Sequence, residues 1–210
     1  MRCRTFRIGL KIAIEYLPMS HQFPPSFVKV FFALWPDAAE RRVLAEWQTP
    51  LQRLCGGRAM HGETLHNTLV FIGHIELSRL EALWLAAQEV SAACFGLCFD
   101  AARYWGHNHI VYAAPGHVPQ QLAQLVNALE QRLTMHRFKF EQRAYKPHVT
   151  LLRNAHWSDD PLPEMQPVCW QIQDFALVQA VHQDGLASYR VLARFALSKS
   201  GLTSGLPSGG

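Results

Sequence analysis

The stretch LHNTLVF at residues 65–71 and the stretch PHVTLLR at residues 147–153 share the pattern His-x-Thr-Leu. For a chain of this composition, chance predicts about 0.05 copies of that pattern. In both stretches the residues around the threonine are mostly apolar, as in a strand that packs on a core. The two copies therefore indicate two related strands.

The two copies close two similar halves of the chain. In each half an apolar strand is followed by a proline and a helix before the pattern appears. Val30 begins the first strand, 36 residues before His66, and Ile110 begins the second, 38 residues before His148. This internal repeat predicts a two-lobed α+β domain with pseudo-twofold symmetry.

Other elements are predicted from clusters of β-branched and aromatic residues and from apolar residues at helical spacing. One helix begins at Pro36-Asp37 and ends at the Gly56-Gly57 pair, with Pro50 as a flaw inside it. The predicted strands are 28–34, 67–72, 95–103 paired with 110–114, 149–152, and 168–178 joined to 189–197 near residues 184–185; the other predicted helices are 77–90 and 120–133.

The two ends of the chain differ from the rest. Residues 1–25 are basic and end in Phe-Pro-Pro, and their apolar stretch is broken by charges, unlike a signal peptide. Residues 200–210 are rich in Gly and Ser, which is typical of a flexible tail. We expect residues 1–25 to form an extension outside the fold and residues 26–199 to form one domain of two lobes.

Composition excludes several classes of protein. Hydrophobic residues make up 49% and charged residues 17%, so the chain is not intrinsically disordered. No apolar run has the 18 or more residues of a membrane span. The net charge of +4 is compatible with a phosphate-bearing partner. The five cysteines form no CxxC pair, so we expect reduced thiols in a cytoplasmic protein. A monomer is the default expectation, which no pattern in the sequence decides.

The pattern has a chemical use. Residues i and i+2 of a strand share a face, roughly 7 Å apart, so each histidine projects beside its threonine. If the lobes face each other, His66, Thr68, His148 and Thr150 converge on one cleft. Displacement at phosphorus needs a base and an acid, which two imidazoles supply near neutral pH. The threonines can hold phosphate oxygens, and Arg153 adds a positive charge.

Packing, metal binding and base stacking are the other interpretations of these histidines and of the aromatic residues near them. A single strand histidine is usually a packing or surface residue, whereas the matched pair favours catalysis. A zinc site could recruit His61, His107 and His109, but threonine is a poor ligand and no H-E-x-x-H is present, so we expect no metal or cofactor. Trp105 and Tyr145 are candidates to stack on a nucleobase.

At these residues the sequence resembles the two-histidine (2H) phosphoesterases, and in particular the bacterial RNA 2′,3′-cyclic phosphodiesterases, also called 2′-5′ RNA ligases. The likeness extends roughly from Val28 to Leu197. Asn67 departs from it, since the family more often has an apolar residue there, on the side facing away from the cleft. The stretches that carry the resemblance are VFFALWPD at 30–37, LHNTLVFIGHI at 65–75, AYKPHVTLLRNA at 144–155, WQIQDFALVQA at 170–180 and YRVLARFAL at 189–197.

The resemblance implies a bilobal fold in which two antiparallel sheets with flanking helices surround a central cleft. It implies metal-independent opening of a 2′,3′-cyclic phosphate at an RNA 3′ end, leaving a 2′-phosphate, with 2′-5′ ligation as a side activity. In that mechanism His66 is the general acid and His148 the base, although the near-symmetry of the site makes the reverse plausible. Thr68 and Thr150 would hold the phosphate, assisted by Arg153.

Two other functions are compatible with the sequence. One is a 2H phosphodiesterase that acts on small cyclic nucleotides or on 2′-5′ oligoadenylate. The other is a noncatalytic RNA-binding module, against which the intact His and Thr pairs weigh. The biological RNA, the role of residues 1–25 and the oligomeric state do not follow from the sequence.

Overall fold

The computed structural model describes residues 27–156, 158, 160–183 and 186–199. The expected extension at 1–25 and the expected tail at 200–210 lie outside these residues, so neither is tested. In chain order the elements are β1 (Phe27–Leu34), α1 (Ala38–Ala45), α2 (Gln48–Cys55), β2 (Arg58–Ala59), a 3₁₀ turn (Gly62–Thr64), β3 (Asn67–Glu76), a 3₁₀ turn (Leu77–Arg79), α3 (Leu80–Gln88), β4 (Phe95–Phe99), β5 (Ala101–Trp105), β6 (Ile110–Ala114), α4 (Gln120–Met135), β7 (Val149–Arg153), β8 (Val168–Ile172), β9 (Asp174–Gln183) and β10 (Leu186–Ala196).

Two antiparallel sheets make up the β structure, one of eight strands and one of two. The large sheet has the order β10-β9-β1-β3-β7-β6-β5, with β2 paired to β7. The lobes meet where β3 and β7 pair through Asn67 and Val149. On each side of this junction a strand, a helical segment and an antiparallel neighbouring strand repeat, as β1–β3 and β6–β7. The expected α+β fold with an internal repeat is therefore confirmed.

Alternation along the strands separates the core from the cleft. On β1, Val30, Phe32 and Leu34 point into the main core beneath the helices. Phe31 and Ala33 point to the opposite face, where they pack with Val178 and its neighbours in a smaller cluster. One face of the sheet thus carries the main core, and the other is lined with aromatic residues beside His66.

The helix predicted from residue 37 to the glycine pair is two helices. Asp37 caps α1: its carboxylate accepts from the Glu40 N–H at 2.8 Å, and the Glu40 carboxylate accepts from the Asp37 N–H at 2.9 Å. The break falls at residues 46–47, so α2 begins at Gln48. Pro50 then lies in the first turn of α2, where a missing N–H costs nothing because it has no partner within the helix.

Two contacts fix β7 against the segment that follows α1. The Gln48 side-chain amide is buried and donates to the Met60 and Leu151 carbonyls at 2.8 and 3.0 Å. Gly57 has φ +78°, and a Cβ there would lie 2.7 Å from the Arg153 carbonyl oxygen. Only glycine permits both that conformation and that approach. The C-terminal end of β7 is therefore held rigidly.

The small sheet corrects two expectations. The segment predicted as one strand from 95 to 103 is two strands, and only β5 pairs with β6, whereas β4 pairs with β8. That pairing places Cys98 opposite Cys169, and a disulfide joins them. The expectation of reduced thiols is wrong for this pair, because 71 residues separate the cysteines and only the strand register brings them together. Cys55 and Cys94 are free.

The remaining differences concern the ends of elements. The predicted strand at 168–178 divides into β8 and β9, and its expected turn near 184–185 lies outside the described residues. The helix predicted at 77–90 begins with a 3₁₀ turn before α3. In the described ranges, none of the helices is long and apolar enough to cross a membrane.

Candidate active site

A cavity of about 410 Å³ opens on the cleft face of the large sheet, where the two lobes meet. His66 directly precedes β3 and His148 directly precedes β7. Because side chains alternate along a strand, each threonine points to the same face as the histidine two positions earlier. His66, Thr68, His148, Thr150 and Arg153 all line this cavity.

The two imidazoles are anchored in the same way. Nδ1 of His66 lies 2.6 Å from the Thr64 carbonyl oxygen, and Nδ1 of His148 lies 2.8 Å from the Lys146 carbonyl oxygen. A carbonyl oxygen only accepts, so Nδ1 of each ring carries the proton and donates. Nε2 is therefore the atom of each ring that is available to accept or release a proton.

His66 lies among three aromatic rings. The rings of Phe31 and Trp35 stack on it at centroid distances of 5.0 and 5.1 Å, and the Tyr189 ring contacts it edge-on at 5.2 Å. Burial lowers the pKa of His66 from 6.5 to about 4, and the nearby charges of His148 and Arg153 act in the same direction. The Thr64 hydrogen bond opposes the shift but does not cancel it.

His148 has a more open environment. Trp105 and Tyr112 contact its ring edge-on at 4.6 and 5.7 Å. Burial lowers its pKa as well, helped by the charges of Arg143 and Arg153 and opposed by the Lys146 hydrogen bond. At neutral pH the protein groups around both imidazoles thus favour the neutral form. Of the two, only His66 has its pKa lowered as far as about 4.

Two arginines flank the histidines. Arg153, the last residue of β7, is exposed at its surface and lowers the pKa of both imidazoles through its charge. Arg143 precedes the second pattern by five positions, lines the same cavity and acts on His148. A phosphate placed between the histidines would therefore lie in a cavity lined by two positive charges.

The two candidate stacking residues lie at different depths. Trp105 lines the cavity and contacts the His148 ring, and the centroid of its own ring lies 4.1 Å from that of Tyr112. Tyr145 is largely buried, and its hydroxyl donates to the Asn67 side-chain oxygen at 3.0 Å. Burial raises the pKa of Tyr145. Tyr145 therefore lines the neighbouring cavity with its ring while its hydroxyl holds the lobe junction together.

The three histidines weighed as zinc ligands do not share one site. His107 lines the neighbouring cavity beside Trp105, whereas Nδ1 of His109 lies 3.1 Å from the Tyr104 hydroxyl. His61 precedes the first 3₁₀ turn and bonds Thr64 only through its backbone. Among the residues that the structure describes, no group of three or more His, Cys, Asp or Glu is placed to hold a metal ion.

Sequence reasoning missed several residues around the two histidines, among them Trp35, Arg143, Tyr189 and Lys29. Trp35 lies in the stretch VFFALWPD and Arg143 lies just before the second pattern, so their neighbourhood was marked but their roles were not. Tyr189 and Lys29 come from β10 and β1, far from either histidine in sequence. Strand order brings them to the cleft, so the family likeness of residues 189–197 did not show that Tyr189 contacts His66.

Comparison with known proteins points to one family. A model described as the 2′-5′ RNA ligase superfamily matches residues 35–184. The chain is 28% identical over 171 residues to the Escherichia coli (strain K12) protein named RNA 2′,3′-cyclic phosphodiesterase, covering 81% of this chain and 97% of that protein.

Solved structures agree with this. The crystal structure of E. coli LigT complexed with 3′-AMP superposes with a TM-score of 0.75 at 27% identity, over 82% of this chain and 99% of that chain. The crystal structure of TT0787 of Thermus thermophilus gives a TM-score of 0.65 at 23% identity, over 82% of this chain and 100% of that chain, and shows the same fold.

Proposed function

The chain belongs to the 2′-5′ RNA ligase superfamily, and on that premise we propose that it hydrolyses 2′,3′-cyclic phosphate ends of RNA to 2′-phosphate ends. The observation that carries this proposal is the pair of imidazoles in one cavity, each with Nδ1 bound to a backbone carbonyl and each beside a threonine hydroxyl. The name and 28% identity of the E. coli relative support the choice of substrate.

The reaction follows from this arrangement. One imidazole accepts a proton from water through Nε2 as the water oxygen bonds to phosphorus. The bond between phosphorus and the 3′ oxygen breaks, and the other imidazole donates its Nε2 proton to that oxygen. The product carries a 3′-hydroxyl and a 2′-phosphate. If a 5′-hydroxyl of a second RNA replaces water, the same steps leave a 2′-5′ linkage, as a side activity.

The phosphate is held by groups that do not exchange protons. Thr68 and Thr150 lie on the cleft face and can donate to the non-bridging oxygens, whose charge grows as the transition state forms. Arg153 adds a permanent positive charge at the end of β7. These three residues and the two imidazoles account for the proposed reaction without a metal ion.

One histidine of the pair serves as the general acid and the other as the general base, in one of two possible assignments. The family resemblance gives the acid to His66 and the base to His148. The protein surroundings make His148 the easier of the two to protonate, so that assignment requires the bound phosphate to raise the pKa of His66 well above about 4. If His148 is the acid and His66 the base, the reaction does not require the pKa of His66 to rise. Either assignment uses the same two imidazoles, and a change of leaving group distinguishes them.

Product analysis tests the proposed function. A short oligoribonucleotide ending in a 2′,3′-cyclic phosphate is incubated with the protein, and the product is followed by mass and by phosphorus NMR. We expect a gain of one water and a 2′-phosphate. An unchanged oligonucleotide that is nevertheless bound would support the noncatalytic module, and turnover of cyclic mononucleotides or 2′-5′ oligoadenylate alone would support the small-molecule alternative.

A cytoplasmic location and a monomeric state stay predictions.

A further inference from the structure

The cleft continues past His148 in one direction. A second cavity of about 310 Å³ adjoins the first and shares Thr68, Trp105, Arg143 and His148 with it. An open groove of about 710 Å³ then runs along α4 and shares Glu130 and Arg143 with the second cavity. Cavities of about 300–1,000 Å³ hold ligands of nucleotide size. The series therefore has room for more than the terminal nucleotide.

Arg143 is the charged residue that lines all three spaces. Its segment is tied to the sheet, because the Glu141 N–H donates to the Phe71 carbonyl on β3 at 3.1 Å. The Glu141 carboxylate lies 3.5 Å from the Arg143 guanidinium, and the Arg143 side chain is 63% exposed. Arg143 is thus a positioned cation that a ligand in the groove can reach.

We propose that Arg143 and the groove along α4 bind the nucleotide that precedes the cyclic end, with Arg143 on the phosphodiester that links the two nucleotides. This deepens the proposed function and rests on it. It makes the protein an enzyme of RNA chains, with cyclic mononucleotides as poorer substrates.

The chemistry of the walls matches this ligand. The Arg143 guanidinium presents paired N–H donors that suit a phosphate, and Trp105 offers a ring for the terminal base at the start of the path. The groove beyond carries three exposed amides, Asn127, Gln131 and Gln142, beside the carboxylate of Glu130. The amides donate and accept as base edges require, so the bases rather than the phosphates face this wall. A chain with its 3′ phosphate between the histidines can therefore leave the active site along α4.

Lys29 and Arg153 are the cations of the first cavity that do not line the path along α4, and Lys29 is the one without a proposed role at the phosphate. Lys29 lines the first cavity but neither of the others, and its ammonium lies 5.6 Å from the centre of the Phe71 ring. Lys29 and Arg143 thus both line the first cavity, but only Arg143 also lines the second cavity and the groove. Their alanine variants test in which direction the RNA runs.

The experiment compares adenosine 2′,3′-cyclic phosphate with a triadenylate that ends in the same group. For the wild type we expect kcat/KM to be higher for the triadenylate by about tenfold or more, the effect of one charge-assisted hydrogen bond. Arg143→Ala should bring the ratio of the two kcat/KM values close to one, and Lys29→Ala should leave the ratio within about twofold of the wild-type ratio.

Two further measurements separate binding from a folding defect or a change at His148. Gln131→Glu, on the exposed face of α4, should lower kcat/KM for the triadenylate only, because it adds a negative charge to the groove wall. Binding of a triadenylate with a 2′-phosphate end should weaken with salt, and Arg143→Ala should reduce the slope of log K against log salt by about 0.7.

The results that overturn this inference differ from those that overturn the proposed function. Equal kcat/KM for both substrates in the wild type, or a ratio lost in Lys29→Ala and kept in Arg143→Ala, would overturn the groove along α4 while cyclic phosphate hydrolysis stands. Absence of turnover of either substrate by the wild type would overturn the proposed function itself.

Discussion

The surroundings of His66 and of His148 share the His-x-Thr motif and a hydrogen bond from Nδ1 to the backbone, but they differ in the side chains that enclose each ring. His66 and His148 each precede a strand and each donate Nδ1–H to the carbonyl two residues earlier. His66 lies among three aromatic rings and its pKa falls to about 4, whereas His148 contacts two rings edge-on and its pKa is lowered less. The same motif thus surrounds two imidazoles with unequal proton affinity.

The largest expected effect is the loss of either imidazole. His66→Ala and His148→Ala should each lower turnover of a cyclic-phosphate oligonucleotide roughly 10²- to 10⁴-fold, the usual contribution of one general acid or base. The double variant should lose much less than the product of the two single losses, because the pair acts as a unit. Single-turnover rates of the four proteins measure this. Near-normal turnover by either single variant would show that the pair is not the catalytic machinery.

The threonines should matter less than the histidines, and about equally at the two ends. Thr68→Val and Thr150→Val should each cost about 10- to 100-fold in kcat, the worth of one hydrogen bond to a charged oxygen. Thr68→Ser and Thr150→Ser keep the hydroxyl and serve as matched controls that should recover most of the rate. If the valine variants are as active as the serine variants, the hydroxyls do not hold the phosphate.

The pH dependence should show the unequal pKa values directly. One imidazole must be protonated and the other neutral, so with increasing pH kcat/KM should rise through about pH 4 and begin to fall before pH 6.5, with its maximum on the acid side of neutrality. Trp35→Leu admits water around His66, which should raise the pKa of His66 and move the acid limb upward.

Trp105→Leu is the matched change at the other end and should move the alkaline limb instead. A shift of the same limb by both variants, or a maximum well above pH 7, would mean that the surroundings seen here do not set the proton affinities in the free enzyme.

The smallest expected effect is that of chelation. Because two imidazoles, two hydroxyls and an arginine supply an acid, a base and oxyanion contacts, EDTA should change kcat/KM by less than about twofold. The rate before and after dialysis against EDTA checks this. Loss of activity that zinc or manganese restores would place the reaction in the metal-assisted class.

Much of the fold and of the site could be predicted because short sequence patterns determine it. The His-x-Thr-Leu pairs, the α+β repeat and helix α4 all follow from spacing along a few residues. The aromatic environment of His66 could not be predicted, since Tyr189 reaches it only through the β10-β9-β1-β3 order. The disulfide was missed for the same reason, because the register of β4 against β8 pairs Cys98 with Cys169. Contacts between distant strands depend on topology, which local pattern does not encode.

The central claim is that one cleft holds one acid and one base, and a substrate with a sulfur leaving atom tests it most directly. When sulfur replaces the bridging 3′ oxygen of the cyclic phosphate, the departing thiolate needs little protonation, so the general acid becomes dispensable. Rates for His66→Ala and His148→Ala are compared on the oxygen and sulfur substrates.

We expect one variant to recover to within about tenfold of the wild-type rate on the sulfur substrate, while the other remains at least about 10²-fold slower. The variant that recovers lacks the acid, which assigns the roles. Equal impairment of both variants on the sulfur substrate, or full activity of both on the oxygen substrate, would contradict a cleft with one acid and one base.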